Sequence, residues 1–215
     1  MKIKKQTISD NISSYLRDQI MTQKLKAGDR IVESQIAKKL DVSQAPVREA
    51  LLQLEGMGLV KNKPYVGSYV LPVNMDIIQQ AYQLRNILEA YASTLVIEKI
   101  KEEEIARMEK HLQNMRAALT QNDRKTIIDE DNQFHSVIVK CVGNPLLLKM
   151  WQMSSVQWSS LTITYYDDME YIVESHVKIL EYLREKNLEA LKKELENHFK
   201  NACTITLHAF EKISG

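Results

Sequence analysis

The sequence predicts a mostly α-helical chain in two parts: a short N-terminal part in which three helices lead into a small β-hairpin, and a longer C-terminal part of six antiparallel helices. Three observations carry that expectation. The 215 residues hold only 6 Gly and 4 Pro, too few to punctuate many short strands. Apolar residues recur at the 3.6-residue spacing of amphipathic helices along almost the whole chain, and a β-prone stretch interrupts the pattern only at 59–71. The length exceeds one typical domain, and the break in pattern near residue 72 gives a division into 1–72 and 73–215. Hydrophobic residues at 44% and charged residues at 27% are the proportions of a folded globular chain.

In chain order, the stripe Ile12, Tyr15, Leu16, Ile20 forms a first helix that Ser9-Asp10 can cap, and Ala27-Gly28-Asp29 ends it. A short helix over about 33–40 turns Ile36, Ala37 and Leu40 inward. After the tight connection Asp41-Val42-Ser43, Ser43 is an N-cap for a third helix. Pro46 sits in its first turn, where a missing N–H costs nothing. The stripe Val47, Ala50, Leu51, Leu54 runs to Gly58, a left-handed stop. Two β-prone pieces, Leu59-Val60-Lys61 and 65–71, then flank the turn Asn62-Lys63-Pro64. Leu71-Pro72-Val73-Asn74 is a short linker. Beyond it, helices are expected over about 75–99, 102–120, 124–142, 145–165, 170–186 and 188–212, with breaks at Asn122-Asp123, Gly143-Asn144-Pro145 and Lys186-Asn187.

Charge is distributed unevenly. Residues 1–72 carry 12 Lys/Arg against 7 Asp/Glu, a net of +5, and residues 73–215 carry 17 against 21, a net of −4. A basic front end on an acidic body suits contact with a polyanion, although small domains also differ by a few charges for no such reason. Cys141 and Cys203 stand alone, so neither a disulfide framework nor a zinc knuckle is indicated, and reduced thiols are expected. No apolar run approaches the roughly 18–20 residues that span a bilayer. The opening Met1-Lys2-Ile3-Lys4-Lys5-Gln6 has no apolar stretch behind it, so no signal peptide is read, and a cytoplasmic location without membrane contact is expected.

Helix, helix, turn, helix and hairpin within about 60 residues outline a winged helix-turn-helix, with the helix-turn-helix at about 33–56 and the wing at 59–71. The residues carry a closer likeness. Gly28-Asp29-Arg30-Ile31-Val32-Glu33-Ser34-Gln35-Ile36-Ala37, Val42-Ser43-Gln44-Ala45-Pro46-Val47-Arg48-Glu49-Ala50-Leu51, Leu54-Glu55-Gly56-Met57-Gly58-Leu59-Val60, and Gly67 with Val70 resemble the winged helix of the GntR family. Such a recognition helix enters the major groove of double-stranded DNA with its amino end first. Ser43, Gln44 and Ala45 stand at that end, beside backbone N–H groups that suit a phosphate oxygen. Arg48 shares a face with Gln44 one turn on, where arginine can read a guanine edge and glutamine an adenine. Arg30 belongs to the matched stretch, Lys61 and Lys63 offer charge to phosphates, and Gly67 permits close backbone approach. Where this chain has Gln44 the family often has a basic residue. For Arg48 a surface ion pair with Glu49 or Glu55 is the other reading.

The C-terminal part raises a different question. On the helix at 124–142 the apolar stripe Ile128, Ile138, Val142 also contains Asp131 and His135. On the helix at 170–186, His176 lies amid Ile172, Val173, Ile179, Leu180 and Leu183. On the last helix, His198 fills a slot among Leu188, Leu191, Leu195, Ala202, Ile205 and Ala209. Polar groups in an apolar interior must satisfy one another or something bound, because leaving them unpaired costs several kcal/mol. Three imidazoles and a carboxylate form a donor set for a divalent ion: zinc foremost, with nickel, manganese or iron also suited. His111 and His208 fall on stripe flanks and read as surface or packing residues.

Asp131-x-x-x-His135 with Phe134, then Gly143-Asn144-Pro145, His176 and His198, resemble the FCD effector domain of the FadR subfamily. The resemblance implies that Asp131, His135, His176 and His198 hold a metal at the floor of an effector cavity. Six helices place the chain with the shorter, VanR-like branch. It further implies a homodimer on a near-palindromic operator and a small carboxylic or sugar-acid effector. Leu84-Arg85 with Leu88-Glu89 is similar to that domain's first helix; Arg85 either clamps an effector carboxylate or pairs with Glu89. Asn201, one turn after His198, either faces the cavity or solvent. The resulting expectation is a metal-anchored, effector-controlled regulator, typically a repressor, in which effector binding shifts helix packing and the placement of the DNA-binding heads through 71–74. A metal-dependent hydrolase, or a DNA-binding protein whose helical part only dimerises, are the alternatives.

Overall fold

The structure is a computed structural model that describes residues 7–21, 24–63, 66–72, 75–154 and 168–214. Of the expectations above, Pro64 and Tyr65 of the wing, Val73 and Asn74 of the linker, and the stretch 155–165 lie outside the described residues. The chain divides into two compact units, Met1–Asn74 and Met75–Gly215.

In the first unit, helices α1 (Ile8–Met21), α2 (Glu33–Leu40) and α3 (Gln44–Gly56) pack with strands β1 (Arg30–Ile31), β2 (Val60–Lys63) and β3 (Gly67–Val70). The apolar stripes meet as their spacing requires: Leu16, Val47, Ala50 and Leu54 are fully buried, closed over by Ile12, Ile31 and Val70. Asn62 and Lys63, expected in the turn of the wing, continue β2 opposite Ser68 and Gly67, and α1 ends at Met21, ahead of Ala27-Gly28-Asp29. Two further details depart from expectation. The cap of α1 is Thr7, whose hydroxyl accepts from Asp10 N while the Asp10 carboxylate accepts from Thr7 N, a reciprocal pair that leaves Ser9 buried inside the helix. The sheet also has three strands in the order β1-β3-β2, all antiparallel, because Arg30 pairs with Tyr69 and Ile31 with Ser68. Gly28, at φ +85°, turns the chain so that its N–H reaches Val70 O. A two-residue strand carries no periodicity to detect. Gly58, at φ +69°, ends α3 as expected.

In the second unit, α4 (Met75–Val96), α5 (Glu102–Thr120), α6 (Arg124–Cys141), α7 (residues 145–154 of a helix), α8 (Met169–Glu174), α9 (His176–Arg184) and α10 (Leu188–Ser214) surround one core. The expected breaks are capped by their own residues. Asn122 is left-handed and Asp123 accepts from Thr126 N. The Asn144 side chain accepts from the N–H groups of Leu146 and Leu147, and Asn187 accepts from Ala190 N. Tyr82 meets Thr206 at 2.7 Å whereas Arg85 lies over Phe199, so α4 and α10 run antiparallel.

The helix expected over 170–186 is interrupted at Ser175. The hydroxyl of Ser175 and Nδ1 of His176 both donate to Ile172 O, at 2.8 and 2.6 Å. Side-chain donors that reach the backbone ladder in this way compete with it and favour a bend. The break sets His176 at the first position of α9.

Candidate metal centre and DNA interface

The amino end of α3 is open. Ser43 caps it with extended backbone and no side-chain cap bond, no acidic residue occupies the first turn, and Ser43, Gln44 and Ala45 are exposed. The N–H groups at that end therefore have no cap from Ser43 and no acidic residue of their own first turn to offset their partial positive charge. Arg48 is exposed over 63% of its side chain, and its Nε and Nη2 reach Glu33 Oε2 at 3.2 and 2.9 Å. Its partner is thus Glu33 of α2, not Glu49 or Glu55. Glu55 instead accepts from Asn62 N and ties the wing to α3.

Arg30, Glu33, Ser34, Gln44 and Gly67 line one groove of about 230 Å³ between the sheet and the amino ends of α2 and α3. Gly67, at φ +118°, has a reason beyond the one its sequence suggests. A Cβ there would meet Arg30 Nε at 3.0 Å, so the missing side chain gives the Arg30 guanidinium its place beside the wing. Lys61 and Lys63 are exposed, and Lys63 lies 5.1 Å over the Tyr69 ring. Sequence reasoning did not single out Glu33 or Ser34; both are ordinary surface residues until α2 is set against α3.

In the second unit, Asp131 and His135 of α6, His176 of α9 and His198 of α10 converge, all buried, with one ligating atom from each within 4.8 Å of the others. His176 Nε2 lies 3.1 Å from Asp131 Oδ1 and 3.1 Å from His135 Nε2. Each ring is held through its other nitrogen. His135 Nδ1 contacts Glu89 Oε2 at 2.5 Å, and His176 Nδ1 contacts the carbonyl of Ile172 at 2.6 Å. His198 Nδ1 meets Ser175 Oγ at 3.0 Å. A carbonyl or carboxylate only accepts, and the Ser175 hydroxyl, already donating to Ile172 O, can only accept from His198. All three Nδ1 atoms therefore carry the proton, and in the neutral rings all three Nε2 atoms present lone pairs to Asp131 and to one another.

Lone pairs at 3.1 Å in a dry interior repel. His198 Nε2 and both Asp131 oxygens make no hydrogen bond. A proton could bridge only one pair of these atoms; a divalent cation takes all four, so the residues fit a metal. The electrostatics agree. Burial, the neighbouring His176 and His135, and Arg85 hold the His198 imidazole well below its usual range, so it stays a neutral donor at neutral pH. Burial would raise the Glu89 carboxyl, but its contacts with His135 and Arg85 and the bond from Trp151 outweigh it and keep it below its usual range.

The remaining site residues divide. Arg85 is fully buried, with Nε 2.9 Å from Glu89 Oε1 and Nη2 3.5 Å from Asp131 Oδ2, so the ion pair with Glu89 forms. Asn201 is exposed and donates to Tyr171 Oη at 2.7 Å, on the outside of α10. His111 is half-buried against Glu130, and His208 is exposed. Sequence reasoning missed Trp151 and Ser175 altogether, and met Glu89 only as a partner for Arg85.

Comparison with known proteins agrees with this architecture. Residues 8–70 match the bacterial regulatory proteins of the gntR family, and residues 80–201 match the FCD domain. The uncharacterized HTH-type transcriptional regulator YdhC of Bacillus subtilis (strain 168) is 31% identical over 203 residues, 93% of this chain and 91% of that protein. The chain belongs to the GntR family of transcriptional regulators and carries an FCD domain. This GntR regulator is also 23% identical over 210 residues to a probable D-xylose utilization operon transcriptional repressor of Paenarthrobacter nicotinovorans, 97% of this chain and 92% of that one. Its fold is shared with E. coli McbR/YncC at a TM-score of 0.80, with 22% identity over 95% of this chain and 99% of the other. The family binds DNA and is not enzymatic, which removes the hydrolase alternative. Among the described residues, no helix is long and apolar enough to cross a membrane.

Proposed function

We propose that this GntR regulator is a cytoplasmic repressor whose grip on a near-palindromic operator is controlled by a small organic or sugar acid bound at a divalent-metal centre in its helical unit. The observation that carries the proposal is the meeting of three Nε2 lone pairs and the Asp131 carboxylate in a buried site. Zinc suits this donor set best. A bound ion supplies a Lewis-acidic anchor for a carboxylate oxygen. The chain's own charges favour an anion: buried Glu89 and Asp131 against Arg85 leave one negative charge, and a divalent cation turns that into one positive charge. Arg85, held between Glu89 and Asp131, contributes to this balance. The repressor named among the relatives supports repression as the sign of control.

In the other unit, the open amino end of α3 with Ser43, Gln44 and Ala45 would meet phosphates and bases, Arg48 would leave Glu33 for a guanine edge, and Arg30, Lys61 and Lys63 would meet phosphates. The test is an operator selected from random duplexes and then titrated in the presence of a panel of organic and sugar acids. Metal-loaded protein is expected to lose at least tenfold in affinity with one class of acid, and chelator-treated protein to keep its DNA affinity but not that response. A response that survives chelation would exclude the metal-anchored mechanism.

Homodimerisation has its own support. On α4, Leu84, Ile87, Tyr91 and Leu95 form a stripe opposite the buried face, and Ile87 and Tyr91 are 63% and 56% exposed. An apolar stripe of that length suits self-association about a two-fold axis, which a palindromic operator would match. The double substitution Ile87→Glu, Tyr91→Glu is expected to give monomers in sedimentation equilibrium with unchanged helix content. Dimers of unaltered strength would remove α4 from the interface.

A further inference from the structure

The buried carboxylate of Glu89 belongs to none of the four candidate metal donors, yet three polar side chains from different helices end on it. Arg85 Nε of α4 and Trp151 Nε1 of α7 both donate to Oε1, at 2.9 and 2.7 Å, and His135 Nδ1 of α6 meets Oε2 at 2.5 Å. All these groups are buried. Only a carboxylate satisfies this arrangement, since it offers acceptor lone pairs on both oxygens and no donor. A glutamine in its place offers one oxygen and one NH2. Turned one way, it sets its NH2 against His135 Nδ1; turned the other way, it sets its NH2 against Arg85 and Trp151.

We propose that Glu89 is the positioning residue of the metal centre: by accepting from His135 Nδ1 it keeps His135 Nε2 a bare donor facing Asp131, His176 and His198, and by holding Arg85 it keeps that guanidinium from taking Asp131. The inference rests on reading those four side chains as a metal centre. Two consequences of the geometry support it. An imidazole whose Nδ1 lost its acceptor would be free to carry its proton on Nε2, where it cannot ligate. Arg85 already stands 3.5 Å from Asp131 Oδ2, with Nη1 on Asn132 at 3.3 Å, so a neutral residue at 89 would leave that guanidinium beside the Asp131 carboxylate without Glu89 to hold it back. Glu89 thus protects two of the four donors at once, from a helix that contributes none of them.

The test uses the full-length protein and zinc, with Glu89→Gln compared to wild type by competition against a chromophoric chelator. The variant is expected to bind zinc about 10–100-fold more weakly. In parallel, nitrogen-15 spectra of the histidine rings in metal-free wild type are expected to report His135 as the Nδ1–H tautomer, and those of the variant to report loss of that state. A variant that binds zinc within threefold of wild type overturns the inference, even if it is thermally weaker, because a purely structural role would lower stability and spare affinity. If Glu89→Gln does not fold, the wild-type spectrum decides alone, and an Nε2–H tautomer at His135 overturns it. Wild type that binds no zinc but shows His135 as Nδ1–H would instead defeat the metal reading while leaving the hold of Glu89 on the ring intact, so the two failures are separable.

Discussion

Replacing His176 with alanine is expected to abolish stoichiometric metal binding, lowering the metal content of purified protein from about one ion per chain to less than a tenth. His176 is the donor whose Nε2 touches two others, at 3.1 Å from both His135 Nε2 and Asp131 Oδ1, so its loss opens the set at its centre. The energetic effect is large because an ion that binds only the folded state adds to stability by mass action. At a thousand times its Kd the contribution is about 4 kcal/mol. For a chain of this size, about 2–4 °C of Tm accompanies each kcal/mol, so zinc is expected to raise the wild-type Tm by roughly 8–16 °C. The variant should show no such rise. Truncation also removes a ring packed edge-on against Phe134 at 4.6 Å, which lowers stability with or without metal. The informative quantity is therefore the metal-dependent increment within each protein, read by calorimetry with and without chelator. Retention of a full equivalent of metal by His176→Ala would mean that the assigned set does not hold the ion.

Arg48→Ala is expected to remove operator specificity while leaving the fold intact. The side chain stands mostly in solvent, and the face of α3 that builds the core is formed by Val47, Ala50, Leu51 and Leu54, so stability should change by no more than about 0.5 kcal/mol. A bidentate arginine–guanine pair contributes about 1–3 kcal/mol of discrimination. Two half-sites under the proposed dimer would double this, which corresponds to a loss of roughly thirty-fold to twenty-thousand-fold in affinity for the operator. Binding to unrelated duplex depends on phosphate charge and should fall far less, since Arg30, Lys61 and Lys63 remain. The substitution also removes Arg48 from the Glu33 carboxylate near the amino end of α3, which would add repulsion of phosphate. Anisotropy titrations of operator and scrambled duplex give the ratio directly, and an unchanged ratio would take Arg48 out of base readout.

The candidate metal donors were legible because each breaks a pattern. Asp131, His135, His176 and His198 occupy positions that helical spacing assigns to the interior, and an ionisable side chain in such a slot needs a partner wherever it folds. The recognition helix was legible for the same kind of reason, through a cap, an early proline and a glycine stop that act within a few residues. What stayed hidden depends on residues far apart in the chain. His135 and Trp151 reach Glu89 across 46 and 62 residues, and Arg48 reaches Glu33 across 15. β1 exists only because β3 returns to pair with it, and at the break after Glu174 the Ser175 hydroxyl and the His176 ring both reach Ile172 O.

By itself, then, the sequence determined which faces of which helices are buried, where the helices stop, and which polar residues are carried inside. Those properties follow from spacing and capping, which are local. Tertiary structure alone decided which nitrogen of each histidine faces the centre, that Arg85 lies between two carboxylates, and that Arg48 rests on Glu33. The reason is that a side chain's protonation and direction are set by the acceptor it meets, and that acceptor is delivered by another helix.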